Sequence, residues 1–300
     1  MTVGLPVTYK AIATVALMPM IDTATLFAAA KDYDTSPVDN FFENTNNLNK
    51  LYLPFAAGQG TIKKLPPELG AVIVLGYMSA LESYVRSIIT GVIRIDQKSR
   101  DAVAKKTVSF AAAVHLPSER LPEALLEHLS LSDAETLEKT ITGTIGLKGV
   151  PNDVKASLRT FDKICHLRHC CVHRFGKLGT RNALDLGFDQ HRAVVEGPFS
   201  PTVADIANIA DALQITVKTI NNFLFYALLE RTIDHQDLSE VWQLSYAKDK
   251  ERFAKYYKLF AIRKGMPSSP KQNAIYSSFI RDHKAELQKI LAKKPPLHHP

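Results

Sequence analysis

The chain has 300 residues, of which 46% are hydrophobic and 22% charged, and its formal net charge is +7. This length and apolar content can bury one large core or two smaller ones, which excludes an extended disordered protein. Ala, Leu, Ile, Lys and Glu dominate and glycine occurs only 14 times, which disfavours a sheet protein. We therefore expect an all-α fold.

The N-terminal stretch from Lys10 to Asp32 combines a lysine, an apolar run and three consecutive alanines, as a signal peptide does. Pro19 and Asp22 interrupt the apolar run, and we expect a helix here instead. All three cysteines lie close together, at positions 165, 170 and 171, and cannot link distant parts of the chain. A cytoplasmic protein is therefore expected. No uninterrupted apolar stretch approaches the roughly 20 residues that cross a membrane, so we expect no membrane contact.

Apolar residues recur at helical spacing over most of the chain. The predicted helices cover residues 37–53, 67–95, 99–114, 121–130, 133–142, 152–174, 202–231, 237–247, 250–263 and 272–292. Asn152 and Thr202 are the expected N-caps of their helices. Residues 179–200 carry glycine and aspartate around two short apolar runs, which predicts a loop or a small hairpin.

The lengths of these helices predict three parts. The three longest helices would form the core of a helical bundle over residues 65–232. Residues 1–60 would then be an N-terminal helical extension, and residues 235–300 a basic C-terminal helical extension.

The C-terminal extension carries most of the positive charge. Between Lys248 and Lys294 there are 13 basic residues and four acidic ones. Aromatic residues are interleaved with them: Tyr246, Phe253, Tyr256, Tyr257, Phe260, Tyr276 and Phe279. Such a mixture could bind a phosphate backbone and stack on bases. Alternatively, the aromatic side chains could face the body of the protein and leave only a solvated basic surface.

The helix over 152–174 has titratable groups next to its apolar face. One face carries Val154, Leu158, Phe161, Cys165, Arg168 and Val172, and the neighbouring polar face carries Asp162, His166, His169 and His173. Arg168 therefore stands in the line of predicted core residues. Burying a lone guanidinium costs several kcal/mol, so Arg168 needs either an acidic partner or a ligand.

The helix over 67–95 offers an acidic partner for Arg168. Its apolar face carries Leu75, Met78, Glu82, Val85 and Ile89, which places the Glu82 carboxylate among apolar neighbours. Two opposite charges on the apolar faces of two helices favour pairing. We expect an ion pair between Glu82 and Arg168.

The stretch "LRHCCVHRFG" resembles the signature of the HEPN superfamily, in which an arginine, a polar residue and a histidine lie near the end of a bundle helix. In this chain these residues are Arg168, His169 and His173. The upstream "SALESYVRSII" and the following "HRFGKLG" are most similar to the branch called RiboL-PSP-HEPN. The resemblance covers roughly residues 65–230 and leaves both extensions outside it.

This resemblance implies an HEPN-like helical bundle that forms a homodimer, with two copies of the motif facing one cleft. It also implies a metal-independent endoribonuclease of a toxin or antiphage defence system. The expected substrate is single-stranded RNA or a tRNA loop. No cofactor is expected, and an antitoxin or sensor protein is the expected partner that restrains the activity.

The motif residues suit RNA cleavage by the 2′-hydroxyl of the substrate. Such cleavage needs a group that transfers a proton near neutral pH and a cation that meets the charge developing on the phosphate. His173 would transfer the proton and Arg168 would stabilise the phosphate, while His169 would orient one of them or contact the nucleotide. Glu82 would support Arg168. Three basic residues would steer the RNA backbone: Arg174, Lys177 and Arg181.

The spacing of Arg168 and His173 is a separate reason to expect a dimer. The two residues are five positions apart, which turns them by about 140° around an ideal helix. One helix therefore does not direct both side chains at a single atom. Two helices that meet across a two-fold axis could do so.

Two alternative interpretations use the same residues. His166, Cys170 and His173, or Asp162 with His166 and His169, could hold zinc. Structural zinc sites usually take ligands from two segments, however, and the chain has no second cluster, so we expect no metal. The second alternative is a non-catalytic HEPN-like module that binds RNA or a regulatory partner, because a fold does not imply turnover.

Overall fold

A computed structural model of the chain describes residues 13, 15–28, 35–56, 63–127, 131, 133–233, 241–264 and 267–292. Within these residues there are eleven α-helices and no strand. The helices are α1 (Pro37–Ala56), α2 (Pro67–Ile95), α3 (Gln97–Val103), α4 (Phe110–His115), α5 (Leu121–Leu126), α6 (Ala134–Ile145), α7 (Asn152–His173), α8 (Thr180–His191), α9 (Val203–Arg231), α10 (Tyr246–Phe260) and α11 (Gln272–Ala292). The prediction of an all-α fold is confirmed.

The long helices begin and end close to their predicted limits because residues that cap helices, or that precede them, mark these limits in the sequence. Thr202 caps α9, with its hydroxyl accepting the N–H of Asp205 while the Asp205 carboxylate accepts the N–H of Thr202. The prediction of Asn152 as an N-cap is wrong by one position. Pro151 precedes α7 as its N-cap, and Asn152 is the first helical residue.

Three of the elements predicted after residue 60 differ from the structure. The helix expected over 99–114 is divided into α3 and α4, because Ser109 accepts the N–H of Ala112 and so starts a new helix. The loop or hairpin expected over 179–200 contains α8. Of the helix expected over 237–247, residues 241–245 are not helical and residues 237–240 lie outside the described residues. There, the buried Trp242 donates its indole N–H to the Thr232 hydroxyl at 2.8 Å instead.

The chain divides into two compact units, residues 1–34 and residues 35–300. In the first unit, the described residues contain one 3₁₀ turn, Thr23–Leu26, which the Asp22 carboxylate caps by accepting the N–H of Ala24. The α-helix expected between Lys10 and Asp32 is therefore wrong for the described part, where Pro19 lacks a backbone donor and Asp22 starts the short turn.

The second unit has one hydrophobic core, in which α2, α7 and α9 pack against one another. Helix α1 packs along α2, and α10 packs on α2 and α9. The boundaries expected near residues 60 and 235 do not separate compact units, because both flanking segments contribute to this core. Asp39 joins them: its buried carboxylate accepts the N–H groups of Arg263 and Lys264 at 2.8 and 2.9 Å.

The aromatic residues of the C-terminal helices belong to the core. Phe253, Tyr276 and Phe279 are buried around Trp242. These rings cannot stack on bases, so the interpretation in which they face the protein body is the correct one. The basic residues face solvent instead: Lys248, Lys250, Lys255, Lys258, Arg263, Lys264, Lys271, Arg281, Lys284 and Lys289.

Helix α2 is the one helix within the described ranges that is long and apolar enough to cross a membrane by length and composition. Of its most apolar window, 56% is buried inside the protein. Core helices have the same length and composition, and the packing of α2 against α1, α7 and α9 assigns its apolar side chains to the core.

Candidate functional site

The C-terminal turns of α7 leave the core and reach the surface. Val154, Leu158, Phe161 and Cys165 are buried, as the apolar face predicts. The next residues on that face are not: Arg168 is only partly buried, and 44% of Val172 is exposed. Arg168 is therefore not the core charge that the sequence pattern predicts, although Cys170 and Cys171 on the other side of this helix are buried.

His169 and His173 lie side by side on the exposed part of α7, with their ring centroids 4.6 Å apart. Partial desolvation lowers the pKa of His169 below its ordinary value, and the neighbouring charges of His173, Arg168, Arg181 and His166 lower it further. The neighbours that lower the pKa of His169 all carry or can carry positive charge.

Arg181 joins this cluster from α8, and the turn between α7 and α8 sets its position. Helix α7 ends where the N–H groups of Arg174 and Gly176 both donate to the carbonyl of Cys170, at 3.1 and 3.0 Å. Gly176 has φ 84° and Phe175 has φ 51°, so two consecutive residues adopt the left-handed conformation. This turn reverses the chain and allows α8 to pack against α7.

Arg174 stabilises the turn and does not belong to the cluster. Its guanidinium donates to both carboxylate oxygens of Glu196, at 2.6 and 2.7 Å. It also covers Gly179, where an added Cβ would lie 2.9 Å from Nη1 of Arg174. Lys177 is exposed in the same turn, and its backbone pairs with Pro198. Of the three residues expected to steer RNA, Arg181 is the one that lines a cavity together with His169 and lowers its pKa.

The ion pair expected between Glu82 and Arg168 is not formed within 4.0 Å. Both side chains are partly exposed, and both lie near the thiol of Cys165, whose pKa they influence with opposite sign. Since Arg168 reaches solvent, its charge needs no buried carboxylate to balance it. Glu82 instead lines an open groove of about 630 Å³ between α2 and α5, together with Arg86.

The three cysteines are buried free thiols. Burial raises the pKa of Cys165 to about 12 and that of Cys171 to about 11. Both thiols are therefore protonated at neutral pH. Among the described residues, no three His, Cys, Asp or Glu side chains are placed to hold a metal ion, so neither of the zinc ligand sets considered above is assembled.

A cavity of about 280 Å³ adjoins the cluster between α7 and α8. Its walls include Asp162, His166 and His169 of α7 and Arg181, Asn182 and Asp185 of α8. Nδ1 of His166 lies 3.1 Å from Oδ1 of Asn182, and Nε2 of His166 lies 3.8 Å from Oδ2 of Asp162. The cavity thus combines neutral amide, carboxylate, imidazole and guanidinium groups.

Sequence reasoning missed Asn182 and Asp185 because the segment that contains them was expected to be a loop or hairpin. Ala183 is buried against α7, and Asn182 beside it is nearly so. Gly187, with φ 106°, interrupts the helix after Asp185, and this is the glycine that obscured the helical pattern. Asn182 and Asp185 are three positions apart, which is the spacing of side chains on one helix face. This spacing could have predicted that both residues line the same side of a helix.

Comparison of the chain with models of known protein families gives no match, and neither do comparisons with curated proteins and with solved structures. The likeness to HEPN proteins consequently rests on the motif and on the helices that carry it.

Proposed function

We propose that this protein is an HEPN-like endoribonuclease that cleaves single-stranded RNA or a tRNA loop without a metal ion. The observation that carries the proposal is the cluster at the open end of α7. There, two adjacent imidazoles lie beside Arg168 and Arg181, whose charges act on His169. This cluster is exposed to solvent, where a phosphate can approach it.

The chemistry of the cluster fits attack by the 2′-hydroxyl of the RNA on the adjacent phosphate. His173 takes or delivers the proton, since an imidazole titrates near neutral pH. Arg168 stabilises the charge that develops on the phosphate oxygens, and its guanidinium keeps its own charge at any physiological pH. His169 contacts His173 directly and holds its ring in place.

A second copy of the chain completes the proposed site. Arg168 and His173 diverge by about 140° on an ideal helix, so each would meet its counterpart from the partner across a two-fold axis. Apolar side chains flank the motif and support an interface here: 85% of Phe175 and 44% of Val172 is exposed. Phe175 holds this exposed ring in a left-handed backbone conformation, which is costly for a residue other than glycine.

The test of this proposal is incubation of the purified protein with total RNA, with and without EDTA, followed by sequencing of the new RNA ends. We expect cleavage in both samples and a 2′,3′-cyclic phosphate on the products, because the 2′-hydroxyl is the attacking group. Cleavage that EDTA abolishes and an added divalent ion restores would contradict the metal-independent mechanism.

Mixing two inactive variants tests whether the site is shared between subunits. If Arg168 of one subunit acts with His173 of the other, each heterodimer of Arg168→Ala and His173→Ala keeps one intact site. Half of the dimers in an equal mixture are heterodimers, so we expect about a quarter of the wild-type rate to return. No recovery, despite exchange of subunits shown by labelled chains, would contradict a shared site.

An enzyme of this type needs restraint in the cell, since uncontrolled cleavage of RNA is lethal. We therefore place it in a cytoplasmic toxin or antiphage defence system, with an antitoxin or sensor protein as partner. Overexpression should arrest growth and fragment RNA, and His173→Ala should relieve both effects.

The exposed basic residues of α10 and α11 favour a second candidate function, a module that binds RNA without cleaving it. Since the aromatic rings of these helices are buried, such binding would depend on phosphate contacts. Its affinity would fall steeply with salt concentration. Binding that is unaffected by Arg168→Ala and His173→Ala, together with no cleavage by the wild type, would favour this candidate.

A further inference from the structure

The cavity between α7 and α8 contains a hydrogen-bond donor that the cleavage chemistry leaves unused. Asn182 lines the cavity and only 6% of this residue is exposed. Its Oδ1 lies 3.1 Å from Nδ1 of His166, and no described residue accepts a hydrogen bond from its amide Nδ2. Because Asn182 stands on the cavity wall, this amide nitrogen is available to donate to a ligand that enters the cavity.

Three carboxylates line the same cavity, those of Asp133, Asp162 and Asp185. Asp133 accepts the N–H and the hydroxyl of Thr136, at 2.7 and 2.9 Å. Asp162 already accepts the N–H of Ala134 at 3.1 Å. Among the described residues, no group donates a hydrogen bond to Asp185: its Oδ2 lies 3.9 Å from Nδ1 of His166 and 4.0 Å from Nε of Arg181, and neither distance is a hydrogen bond. Both oxygens of Asp185 are therefore free to accept.

These two groups present one donor and a pair of acceptors to a flat polar ligand. The Watson–Crick edge of guanine presents the complementary pattern, with O6 as an acceptor and with N1–H and the N2 amine as adjacent donors. A volume of about 280 Å³ suits a single base, since cavities for larger drug-sized ligands begin near 300 Å³. We propose that this cavity binds a guanine base of a single-stranded RNA next to the cleavage site, with Asn182 contacting O6 and Asp185 contacting N1 and N2.

This proposal rests on the proposed function, and it adds a substrate preference to it. The other bases fit less well. Uracil places an acceptor, O2, where guanine has its N2 amine, and that acceptor would face the Asp185 carboxylate. Adenine and cytosine each offer only one exocyclic amine beside ring acceptors. Single-stranded RNA is suited to this kind of recognition, because an unstacked base can enter a pocket and present its Watson–Crick edge.

His166 and the cation cluster complete the proposed base site. His166 is a positioning residue, since the contact of its Nδ1 with Oδ1 of Asn182 directs the amide donor toward the cavity. His169 and Arg181 line the cavity and also belong to the cluster around the motif. A base in the cavity would thus lie next to that cluster.

The experiment measures binding of short 2′-fluoro RNA oligonucleotides to the full-length protein by fluorescence polarisation. The missing 2′-hydroxyl prevents cleavage. One oligonucleotide carries a single guanine among uracils, and the second carries inosine, which lacks only the N2 amine. We expect the guanine oligonucleotide to bind on the order of 10- to 150-fold more tightly, as a hydrogen bond to a charged group predicts.

Asp185→Asn should abolish most of the preference for guanine over inosine. Asparagine has one acceptor oxygen, and its NH2 group replaces the second acceptor of the carboxylate with a donor. Asp189→Asn is the matched control, since it makes the same change of charge at an exposed residue of the same helix outside the cavity. The control should keep the preference for guanine. Thermal unfolding of both variants shows whether they fold, and Asp185 is sufficiently exposed for the substitution to be tolerated.

Cleavage of total RNA by the same proteins separates the two proposals. If RNA is cut but guanine and inosine bind equally, or if Asp185→Asn keeps the difference, the base site is wrong and the ribonuclease stands. If guanine is preferred through Asp185 but no RNA is cut, the base site stands and the ribonuclease is wrong. If the protein neither binds nor cuts RNA, both proposals fall.

Discussion

Two clusters of charged side chains in this bundle differ in how their charges are balanced. At the start of α3, Nη1 of Arg231 lies 2.6 Å from Oδ2 of Asp96, and these side chains are only 9% and 8% exposed. Ser99 donates its N–H and its hydroxyl to the same carboxylate, and Arg231 also donates to the carbonyl of Gly146. Every charge in this cluster has a protein partner, and the cluster joins α3, α9 and the end of α6.

The cluster at the end of α7 is the opposite case. Among the described residues, Arg168 forms no ion pair within 4.0 Å, and Arg181 approaches the Asp185 carboxylate only at 4.0 Å. The histidine rings of the cluster contact each other. Arg168 therefore faces solvent without a described acidic partner, and Arg181 has only a distant one. The comparison teaches that the buried charges of this protein hold the fold together, whereas the unbalanced charges are available to an anionic ligand.

Removing Arg231 should have the largest effect on stability. Arg231→Met leaves the Asp96 carboxylate buried without its cation, which typically costs about 3–5 kcal/mol of unfolding free energy. Urea unfolding measures this loss. The control is Arg281→Met, which breaks an exposed pair with Asp282 and should cost less than about 1 kcal/mol. Similar losses in both variants would show that the Asp96 cluster does not hold the fold.

Removing Arg168 should affect activity and leave stability nearly unchanged. Arg168→Ala should raise the barrier to RNA cleavage by about 2.7–4 kcal/mol, as lost donors to a developing oxyanion do. The single-turnover cleavage rate measures this effect. Arg159→Ala is the matched control, because Arg159 is an exposed arginine on the same helix. A large drop in melting temperature with little loss of rate would reverse the assignment of Arg168.

Removing Glu82 should have a small effect on stability. Since Glu82 is partly exposed and forms no ion pair with Arg168, Glu82→Ala should change the unfolding free energy by less than about 1 kcal/mol. The same urea titration tests this. A loss as large as that of Arg231→Met would mean that Glu82 compensates a buried charge after all.

The smallest expected effect is the change in the pKa of His169 when Arg181 is replaced. Its pKa is lowered in the folded protein, so the unfolded chain binds the proton more readily. The stability that His169 contributes is therefore present above its ordinary pKa of 6.5 and is lost as the pH falls toward the lowered value. Arg181→Ala should raise this pKa, because it removes a nearby positive charge. NMR titration of the imidazole measures the direction, and a further decrease would contradict the cluster.

The helices that form the core could be predicted from the sequence because their apolar faces and their caps agree. The periodicity of α2 and α9 and the capping residue Thr202 set their limits correctly. The same periodicity placed Arg168 on the apolar face of α7. It could not show that Arg168 reaches solvent, because periodicity gives the direction of a side chain and not the extent of its neighbours.

Only the part of the candidate site that lies on α7 could be predicted from the sequence, because spacing along one helix does not show which other helix packs beside it. Arg168, His169 and His173 lie on one helix and could be found from their spacing. Asn182 and Asp185 belong to α8, whose position depends on the turn after α7 and on the pairing of Arg174 with Glu196. That pair joins residues far apart in the sequence, and only the folded chain brings them together.

The most direct test of the central claim is the rate at which the full-length protein cleaves RNA in EDTA, compared with the rate of His173→Ala. We expect His173→Ala to lose about 10²- to 10⁴-fold in rate, because it removes the group that transfers the proton. RNA binding and the melting temperature should be unchanged. His115→Ala, at an exposed histidine of α4, should cleave like the wild type. Equal cleavage by His173→Ala and the wild type would contradict the assignment of the α7 cluster as the catalytic site.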